Sequence, residues 1–473
     1  MPRLGTLARL SALAIALQPV FTGPEIFPAE EFAARRARVA AAVGDALVVV
    51  QGTTERPGEQ PLRQNNQFFY LTGVVEPRAL AAIDGRTKRT TVYVQPVDAR
   101  RRTQIDRMYG AGLVPGAEAA AAYGVDAVLP RDDFRSAIAD AAREGRTIYT
   151  TFRPEVLGSA SASDPAALAR ATKADPWDGR GSREEAFIAN LKAASPRSEV
   201  RDLDPILDGL RTIKSPREIA IVREATALAA RAIVEAMRDA RPGMFEYQLQ
   251  ADAEYVFKDG GAYGPAYFAL IATGPNTIYS HYHKNTARLQ DGDLVQFDYA
   301  PDYKYYASDV TRVFPANGRF TPRQRELYTI YLRLYQALMT SIAVHASPAD
   351  IVRTAVAKMD AVMSSFTFTD PKIEAAARRF VDGYRNRPNV ASLGHSVGME
   401  VHDVGRPPAT LEPGTIFTIE PAMQIPDEHI GVRLEDMILI TEAGYENLSA
   451  AVPIEIADIE HTMRKPGLRR RRP

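Results

Sequence analysis

Five side chains of metal-ligand type stand in apolar or glycine-flanked stretches of the second half of the chain. They are Asp298, Asp309, His395, Glu420 and Glu435. Glu420 directly follows the apolar run 415–419, and Glu435 stands just before the run 438–441. Burying a carboxylate in such a run is costly unless a positive charge neutralises it. The rest of the chain must therefore supply cationic side chains or a bound cation.

Asp298 and Asp309 lie on two strand-like segments joined by a turn at residues 301–304. A hairpin of this kind brings two carboxylates together, and one of them would take up a proton unless a cation lay between them. With His395 and the two glutamates, the set holds one imidazole and four carboxylates. Such a set suits two hard or borderline divalent ions with bridging carboxylates and a shared hydroxide.

The elements that must position these groups form an α+β catalytic domain, which we place at residues 210–462. At its entry Ser215 is a helix cap, Pro216 fits the first helical turn, and Glu218 completes a capping box. The sequence predicts helices up to about residue 240, over 246–260, from 321 onward and over 347–364. It predicts strands over 267–273, 294–300 and 305–314.

The preceding residues 25–208 read as a smaller α/β domain. Predicted strands at 45–50, 68–73 and 91–94 alternate with helical segments at 30–43, 117–122 and 133–143. Residues 159–183 are rich in Ala, Ser, Asp, Gly and Pro, and we expect loops and short helices there.

Composition excludes several classes of function. The chain has 473 residues, too many for one ordinary core, and Lys+Arg equal Asp+Glu at 58 each, so net charge gives no argument for nucleic-acid binding. There are no cysteines, which excludes disulfides, thiolate metal sites and a cysteine nucleophile. We expect the arginine-rich end, residues 463–473, to be a solvated basic tail.

The first 22 residues are typical of an export signal. Arg3 and Arg9 precede and flank the apolar run 10–17, and Pro19 follows it. This predicts a periplasmic or secreted protein, with a cytoplasmic one as the alternative. The run is too short to span a bilayer, and no other segment approaches that length, so we expect no membrane association.

The blocks that carry these residues resemble the pita-bread metallopeptidases, in their aminopeptidase P and prolidase branch. The resembling blocks are, in order, 63–73, 213–216, 280–282, 298–300, 309–312, 394–395, 401–403, 419–421 and 433–436. Each block alone is a weak signal, but the ordered set is specific. The resemblance implies a pita-bread (creatinase/aminopeptidase-like) domain preceded by an α/β domain that restricts access, and a homodimer or homotetramer.

The resemblance also implies roles for the ligand set. Asp298 would hold one ion and His395 the other, with Asp309 and Glu435 bridging. Glu420 would ligate and also shuttle a proton. The ions would be manganese, or alternatively zinc or cobalt.

Three further residues receive roles from the same resemblance. His281 and His402 would donate hydrogen bonds to the substrate carbonyl or the tetrahedral oxyanion, and Arg433 would orient carboxylates. One departure stands out: where relatives often carry a second histidine four residues before the metal histidine, this chain has Ala391. The substitution bears on proline selectivity and substrate length.

The implied function is a metal-dependent Xaa-Pro aminopeptidase, which releases the first residue of peptides with proline second. The alternative is an Xaa-Pro dipeptidase (prolidase), because the motifs of the two overlap. A distant alternative, of another class, is a non-catalytic pita-bread protein that binds peptides. Methionine aminopeptidases usually lack so large a leading domain, and creatinase-type enzymes lack the full metal set that this chain keeps.

Overall fold

The computed structural model describes residues 22–55, 61–97, 100, 112–156, 161–387, 393–405 and 408–471. The predicted export signal lies, apart from Thr22, outside the described residues, and so does Ala391. Among the helices of the described part, none is long and apolar enough to cross a membrane.

A mixed sheet forms the centre of the N-terminal part. Its strands are β1 Leu47–Gln51, β2 Leu80–Asp84, β3 Thr90–Val94, β4 Ala127–Pro130, β5 Ile148–Thr150 and β6 Val200–Asp202. The spatial order is β4-β3-β2-β1-β5-β6, antiparallel around β2 and parallel elsewhere. Every residue of β1 is buried, as a run of valines flanked by helices requires. The predicted strands at 45–50 and 91–94 are confirmed.

Helices cover this sheet and connect its strands. They are α1 Gly23–Ile26, α2 Ala29–Val43, α3 Asn66–Thr72, α4 Ala117–Tyr123, α5 Phe134–Glu144, α6 Asp164–Ala174, α7 Arg183–Ala194 and α8 Asp204–Thr212. The prediction of a strand at 68–73 is wrong, because these residues belong to α3. Asn65 caps this helix by accepting a hydrogen bond from the Phe68 amide at 3.0 Å, and Gly73 ends it in the left-handed region at φ 67°. All of α3 is buried, and its short central apolar run, residues 68–71, cannot be assigned to strand or helix by periodicity.

The C-terminal part begins at the predicted capping box. Ser215 accepts from the Glu218 amide, and the Glu218 carboxylate accepts from the Ser215 amide at 2.8 Å. The helices are α9 Pro216–Asp239, α10 Glu246–Asp259, α11 Pro322–Met339, α12 Pro348–Ser365, α13 Pro371–Arg385, α14 Ile456–Met463 and α15 Leu468–Arg471. The four helices predicted from the sequence for this part correspond to α9, α10, α11 and α12, whereas α13 was not predicted.

Antiparallel strands curve between these helices. They are β7 Gly264–Pro265, β8 Leu270–Thr273, β9 Leu294–Asp298, β10 Pro301–Tyr303, β11 Tyr306–Ala307, β12 Thr311–Pro315, β13 Ile416–Ile419, β14 Ala422–Ile425, β15 Ile430–Arg433, β16 Asp436–Thr441 and β17 Gly444–Asn447. The sheets run β11-β10-β7, β12-β9-β8, β13-β16-β17 and β14-β15. This is the α+β arrangement that the sequence predicts.

The strand predicted over 305–314 is interrupted. Between β11 and β12 the ladder breaks, because the Ala307 amide donates to the Gly398 carbonyl at 2.7 Å and the buried Ser308 hydroxyl donates to Thr226 at 3.0 Å. Asp309 lies in this break, so its carboxylate projects from irregular backbone rather than from a regular strand.

Arg469, within the predicted basic tail, contacts helices α9 and α10. The Arg469 amide donates to Asp239 at 2.9 Å, and its guanidinium contacts Asp252 and the Gln248 carbonyl at 2.9 and 2.8 Å. The residue remains exposed, and the solvated basic tail stays a prediction.

Candidate metal centre

Asp298 and Asp309 meet where two sheets adjoin. Asp298 ends β9 and pairs with Thr311 across the β9–β12 ladder, which brings the nearby Asp309 to the same place. The Tyr267 hydroxyl lies 2.7 Å from one oxygen of each carboxylate. A hydroxyl has one proton and can donate to one carboxylate at a time, so it neutralises neither.

His395 approaches Asp309 from the side of the neighbouring sheet. The Thr418 amide donates to the His395 carbonyl at 2.9 Å, which ties the histidine to β13. A Cβ on the preceding Gly394 would lie 2.0 Å from the Thr418 carbonyl oxygen, so this approach requires glycine. His395 Nε2 then lies 3.4 Å from Asp309 Oδ2, 3.3 Å from Glu420 Oε1 and 3.9 Å from Glu435 Oε1.

Glu435 is the most deeply buried ligand candidate. The Thr311 hydroxyl donates to its Oε2 at 2.7 Å, while its amide donates to the Thr311 carbonyl at 3.0 Å. Its other oxygen, Oε1, is buried and has no hydrogen-bond partner in the part of the chain that the structure describes. A buried carboxylate oxygen left in this state costs free energy that a bound cation would recover.

Arg433 is the cation that the protein itself brings to this cluster. Its guanidinium donates to Asp298 Oδ2 and lies 3.7 Å from Glu420 Oε2. Glu420 is the most open of the four acids, with 29% of its side chain exposed against 4% for Asp298. The arginine thus orients one buried and one open carboxylate.

The pKa values of the cluster show a deficit of positive charge. Burial raises the pKa of Asp298 to about 7 despite the opposing Arg433, and burial together with Asp309 raises the pKa of Glu435 well above its ordinary range. Burial lowers the pKa of His395, but the hydrogen bonds and charges of Asp309 and Glu420 outweigh it and raise that pKa. Despite burial, the pKa values of Asp309 and Glu420 are lowered, largely by His395, so the cluster stabilises added positive charge on its imidazole and on its two most deeply buried carboxyls.

The residues fit divalent metal. Asp309, His395 and Glu435 each offer a ligand atom, and these atoms lie within 4.8 Å of one another. Asp298 and Glu420 border this triad through Tyr267 and His395. One imidazole with four carboxylates is a donor set for manganese, zinc or cobalt, and the unpartnered Glu435 oxygen lies among these donors.

The two predicted catalytic histidines lie at different depths. The His402 ring is 3.9 Å from the His395 ring, centroid to centroid. Burial and the positive charge of His395 lower the pKa of His402, to which His281 adds a smaller effect. His281 itself is exposed and stands edge-on to Phe268 at 6.5 Å. The structure therefore brings both imidazoles to the metal-centre side, His402 in contact with it and His281 at its rim.

A second buried charged cluster holds the loop of His402. We call Arg211, Lys214, Glu400 and Asp403 the interdomain cluster. The Arg211 guanidinium bonds both acids, and Lys214 Nζ lies 3.1 Å from Asp403. Asn66 of α3 donates to Glu400 at 2.8 Å. Because Glu400 and Asp403 flank His402, the N-terminal part of the chain fixes the backbone that carries this imidazole.

Sequence reasoning did not single out Tyr267 or the hydroxyl of Thr311. Tyr267 starts an apolar segment and looks like any core tyrosine, so no pattern separates it from its neighbours. Thr311 stands two residues after Asp309 within the block 309–312, and this position next to a predicted ligand could have identified it as a supporting residue. Both residues are buried and bond ligand carboxylates.

The chain is similar to known metallopeptidases over most of its length. Residues 220–442 match metallopeptidase family M24, and residues 32–149 match the N-terminal domain of aminopeptidase P. The Xaa-Pro aminopeptidase of Escherichia coli (strain K12) is 31% identical over 427 residues, covering 87% of this chain and 91% of that protein. The structure of Pseudomonas aeruginosa aminopeptidase PepP matches with a TM-score of 0.71 at 30% identity, covering 92% of this chain and 98% of that one.

The similarity to a dipeptidase is shorter. The Xaa-Pro dipeptidase of Pyrococcus furiosus is 31% identical over 274 residues, covering 57% of this chain and 72% of that protein. The similarity to the aminopeptidases thus extends over both parts of the chain.

Proposed function

This chain belongs to metallopeptidase family M24, with an aminopeptidase P-type N-terminal domain before its pita-bread domain, and we propose that it is an Xaa-Pro aminopeptidase. It would release the first residue from peptides whose second residue is proline. The observation that carries the proposal is the convergence of His395 Nε2 on Asp309, Glu420 and Glu435 around a buried, unpartnered carboxylate oxygen.

The proposed cofactor is a pair of divalent ions, manganese first and zinc or cobalt as alternatives. Asp298, Asp309, His395, Glu420 and Glu435 would hold them. When bound, the ions would polarise the scissile carbonyl and lower the pKa of a water molecule towards neutrality.

The remaining steps fall to side chains of the chain itself. Glu420, the most exposed of the acids, takes the proton from the attacking water and passes it to the leaving proline nitrogen. His402, whose pKa is lowered by burial, and His281 at the rim donate hydrogen bonds to the carbonyl as it becomes an oxyanion. Arg433 keeps Asp298 and Glu420 oriented throughout.

A proline bond suits this chemistry. The imide nitrogen carries no hydrogen, so an enzyme that recognises the N–H of the scissile bond cannot grip it. A site that engages the free amine and the carbonyl does not need that hydrogen. The acidic cluster supplies the counter-charge for the free amine.

The second candidate is an Xaa-Pro dipeptidase, supported by the shorter similarity to the Pyrococcus enzyme. The aminopeptidase is favoured because the relatives from Escherichia coli and Pseudomonas aeruginosa, which share both parts of the chain, are named aminopeptidases. Ala391 bears on this choice, and it lies outside the described residues.

The test is hydrolysis of Ala-Pro beside Ala-Pro-Ala after chelation and addition of manganese. Cleavage of the tripeptide that disappears in Asp309→Ala supports the aminopeptidase. Cleavage of the dipeptide alone makes the protein a dipeptidase. Absence of turnover for both, with metal bound, contradicts the proposed substrate class.

A further inference from the structure

A pocket opens from the metal centre on the side of Glu420. It has a volume of about 420 Å³, and its walls include Arg379, Phe380, Tyr384, Arg387, Glu420 and Pro421. We call it the arginine pocket. Helix α13 forms one wall, and the start of β14 forms the other. Since Glu420 belongs to both, a molecule bound at the metal centre can extend into this pocket.

The arginines of α13 and the residues after it divide into two groups. Arg378 pairs with Glu374 at 2.5 Å, and Arg385 pairs with Asp360 at 2.6 Å, both on the solvent side. Arg379 and Arg387 instead line the pocket. Within the described ranges neither forms an ion pair with a carboxylate, and Arg379 donates only to a backbone carbonyl, that of Gln424, at 3.3 Å.

The rest of the pocket is mostly apolar. The rings of Phe380 and Tyr384 pack together at 5.5 Å between centroids, and Pro421 and Ala422 face them. The arginine pocket therefore has an apolar floor next to Glu420 and two guanidiniums that lack a carboxylate partner among the described residues. Guanidinium groups bind carboxylates in a planar, paired geometry.

A short peptide has two ends of opposite charge, and the surroundings of Glu420 distinguish them. Arg379 and Arg387 repel its free amine and attract its terminal carboxylate. The peptide can therefore lie in one direction only, with its C-terminus towards α13.

We propose that the arginine pocket binds the C-terminal carboxylate of short peptide substrates through Arg379 and Arg387. This inference rests on the proposed function and narrows its substrate class to small peptides with a free C-terminus. The apolar wall of Phe380, Tyr384 and Pro421 accommodates the residues that follow the scissile bond.

The experiment compares free acids with amides. The full chain with manganese is given Ala-Pro, Ala-Pro-Ala and Ala-Pro-Ala-Ala, each as the free acid and as the C-terminal amide, and released alanine is measured. We expect the acid to be preferred about tenfold in kcat/KM, through KM, at the length that reaches the guanidiniums. In Arg379→Gln and in Arg387→Gln the acid-to-amide ratio falls towards one.

Arg378→Gln is the matched control, because it removes the same charge from the solvent side of the same helix. It should keep the ratio of the unaltered chain. Equal cleavage of acid and amide at every length would overturn the carboxylate site and leave the aminopeptidase proposal intact. Equal loss of preference in Arg378→Gln would overturn it too, since that result reports net charge alone. If neither acids nor amides are cleaved, both proposals fail.

Discussion

The metal centre and the interdomain cluster are both buried groups of acids, but they differ in how their charge is balanced. In the interdomain cluster Arg211 and Lys214 face Glu400 and Asp403, two cations against two anions. In the metal centre, among the residues that the structure describes, four carboxylates are paired with two cationic side chains, Arg433 and His395. The charges of the first cluster balance one another, although burial raises the pKa of Glu400. In the second the acids outnumber the cations, and burial together with the neighbouring acids raises the pKa of Asp298 and of Glu435.

The balance of charge distinguishes the candidate metal centre from the interdomain cluster. Buried acids alone do not indicate a metal site, since Glu400 and Asp403 are buried and serve structure. The Arg211 and Lys214 charges outweigh the burial of Asp403 and lower its pKa, while burial of Glu435 is reinforced by its acidic neighbours. The informative feature is the excess of negative charge over what the chain itself supplies.

Glu435→Gln should have the largest effect on metal binding and activity. It should also raise the stability of the metal-free protein, whereas a substitution in the interdomain cluster should lower stability. Removing one negative charge while keeping the shape should abolish measurable manganese binding and lower kcat/KM by about a thousandfold or more. The metal-free variant should nevertheless unfold at a higher temperature, because glutamine is buried without the proton that the Glu435 carboxyl, with its raised pKa, must take up on folding. Calorimetric metal titration and thermal unfolding after chelation measure the two effects.

Glu442→Gln, at an exposed position, is the control and should change neither quantity. A metal-free Glu435→Gln protein less stable than the unaltered chain would mean that the metal centre is balanced like the interdomain cluster.

Arg211→Met should have the opposite effect on stability. It leaves Glu400 and Asp403 buried with Lys214 alone, which we expect to cost about 3–5 kcal/mol of the free energy of unfolding. Denaturant titration measures the loss. Arg217→Met removes an arginine whose pair with Glu31 is half exposed and should cost less than about 1 kcal/mol. Similar losses in the two variants would show that burial does not set the strength of the interdomain cluster.

Thr311→Val tests how the metal centre is held in place. The substitution keeps the shape but removes the hydroxyl that donates to Glu435. We expect a 10- to 100-fold loss of manganese affinity, about 1.4–2.8 kcal/mol, because such supporting contacts orient a ligand. Thr354→Val deletes only an exposed contact within α12 and should leave affinity unchanged. Unaltered affinity in Thr311→Val would mean that the backbone alone positions Glu435.

The sequence predicted those features of the fold that depend on residues close together in the chain. The capping box at Ser215, the β9 strand that ends in Asp298 and the α+β class follow from periodicity and turn chemistry, and the family and fold are confirmed. Helix α3 was misassigned because a wholly buried run carries no periodic signal. The break at Asp309 depends on contacts with residues 226 and 398, which are distant in the sequence.

Apart from Arg433, whose role the resemblance implies, the partners of the acids could not be predicted. Which arginine faces which carboxylate depends on contacts between distant parts of the chain, as with Arg211 and Glu400, which are 189 residues apart. The arginine pocket has the same origin, since α13 was not anticipated and its orientation decides which of its arginines face the metal centre.

The charge balance of Asp252 is intermediate between those of the two clusters, and its substitution should have the smallest effect of those predicted. It is buried on α10 and has one partly exposed cation, Arg469, as partner. Burial raises its pKa to about 6 from an ordinary value of 3.8, although Arg469 opposes the shift. The folded state therefore holds a proton that the unfolded chain releases, so this contribution to stability is complete below about pH 4 and disappears as the pH rises through 6.

Relative to the unaltered chain, the free energy of unfolding of Asp252→Asn should increase by roughly 1–2 kcal/mol between pH 4 and pH 7, as measured by urea titration. The exposed Asp259 on the same helix is the control, and Asp259→Asn should show a pH-independent difference. If the stability difference between Asp252→Asn and the unaltered chain did not change with pH, Arg469 would balance the charge of Asp252 as fully as Arg211 and Lys214 balance the interdomain cluster. One bound arginine would then be enough for a buried acid to stay ionised without a proton or a metal.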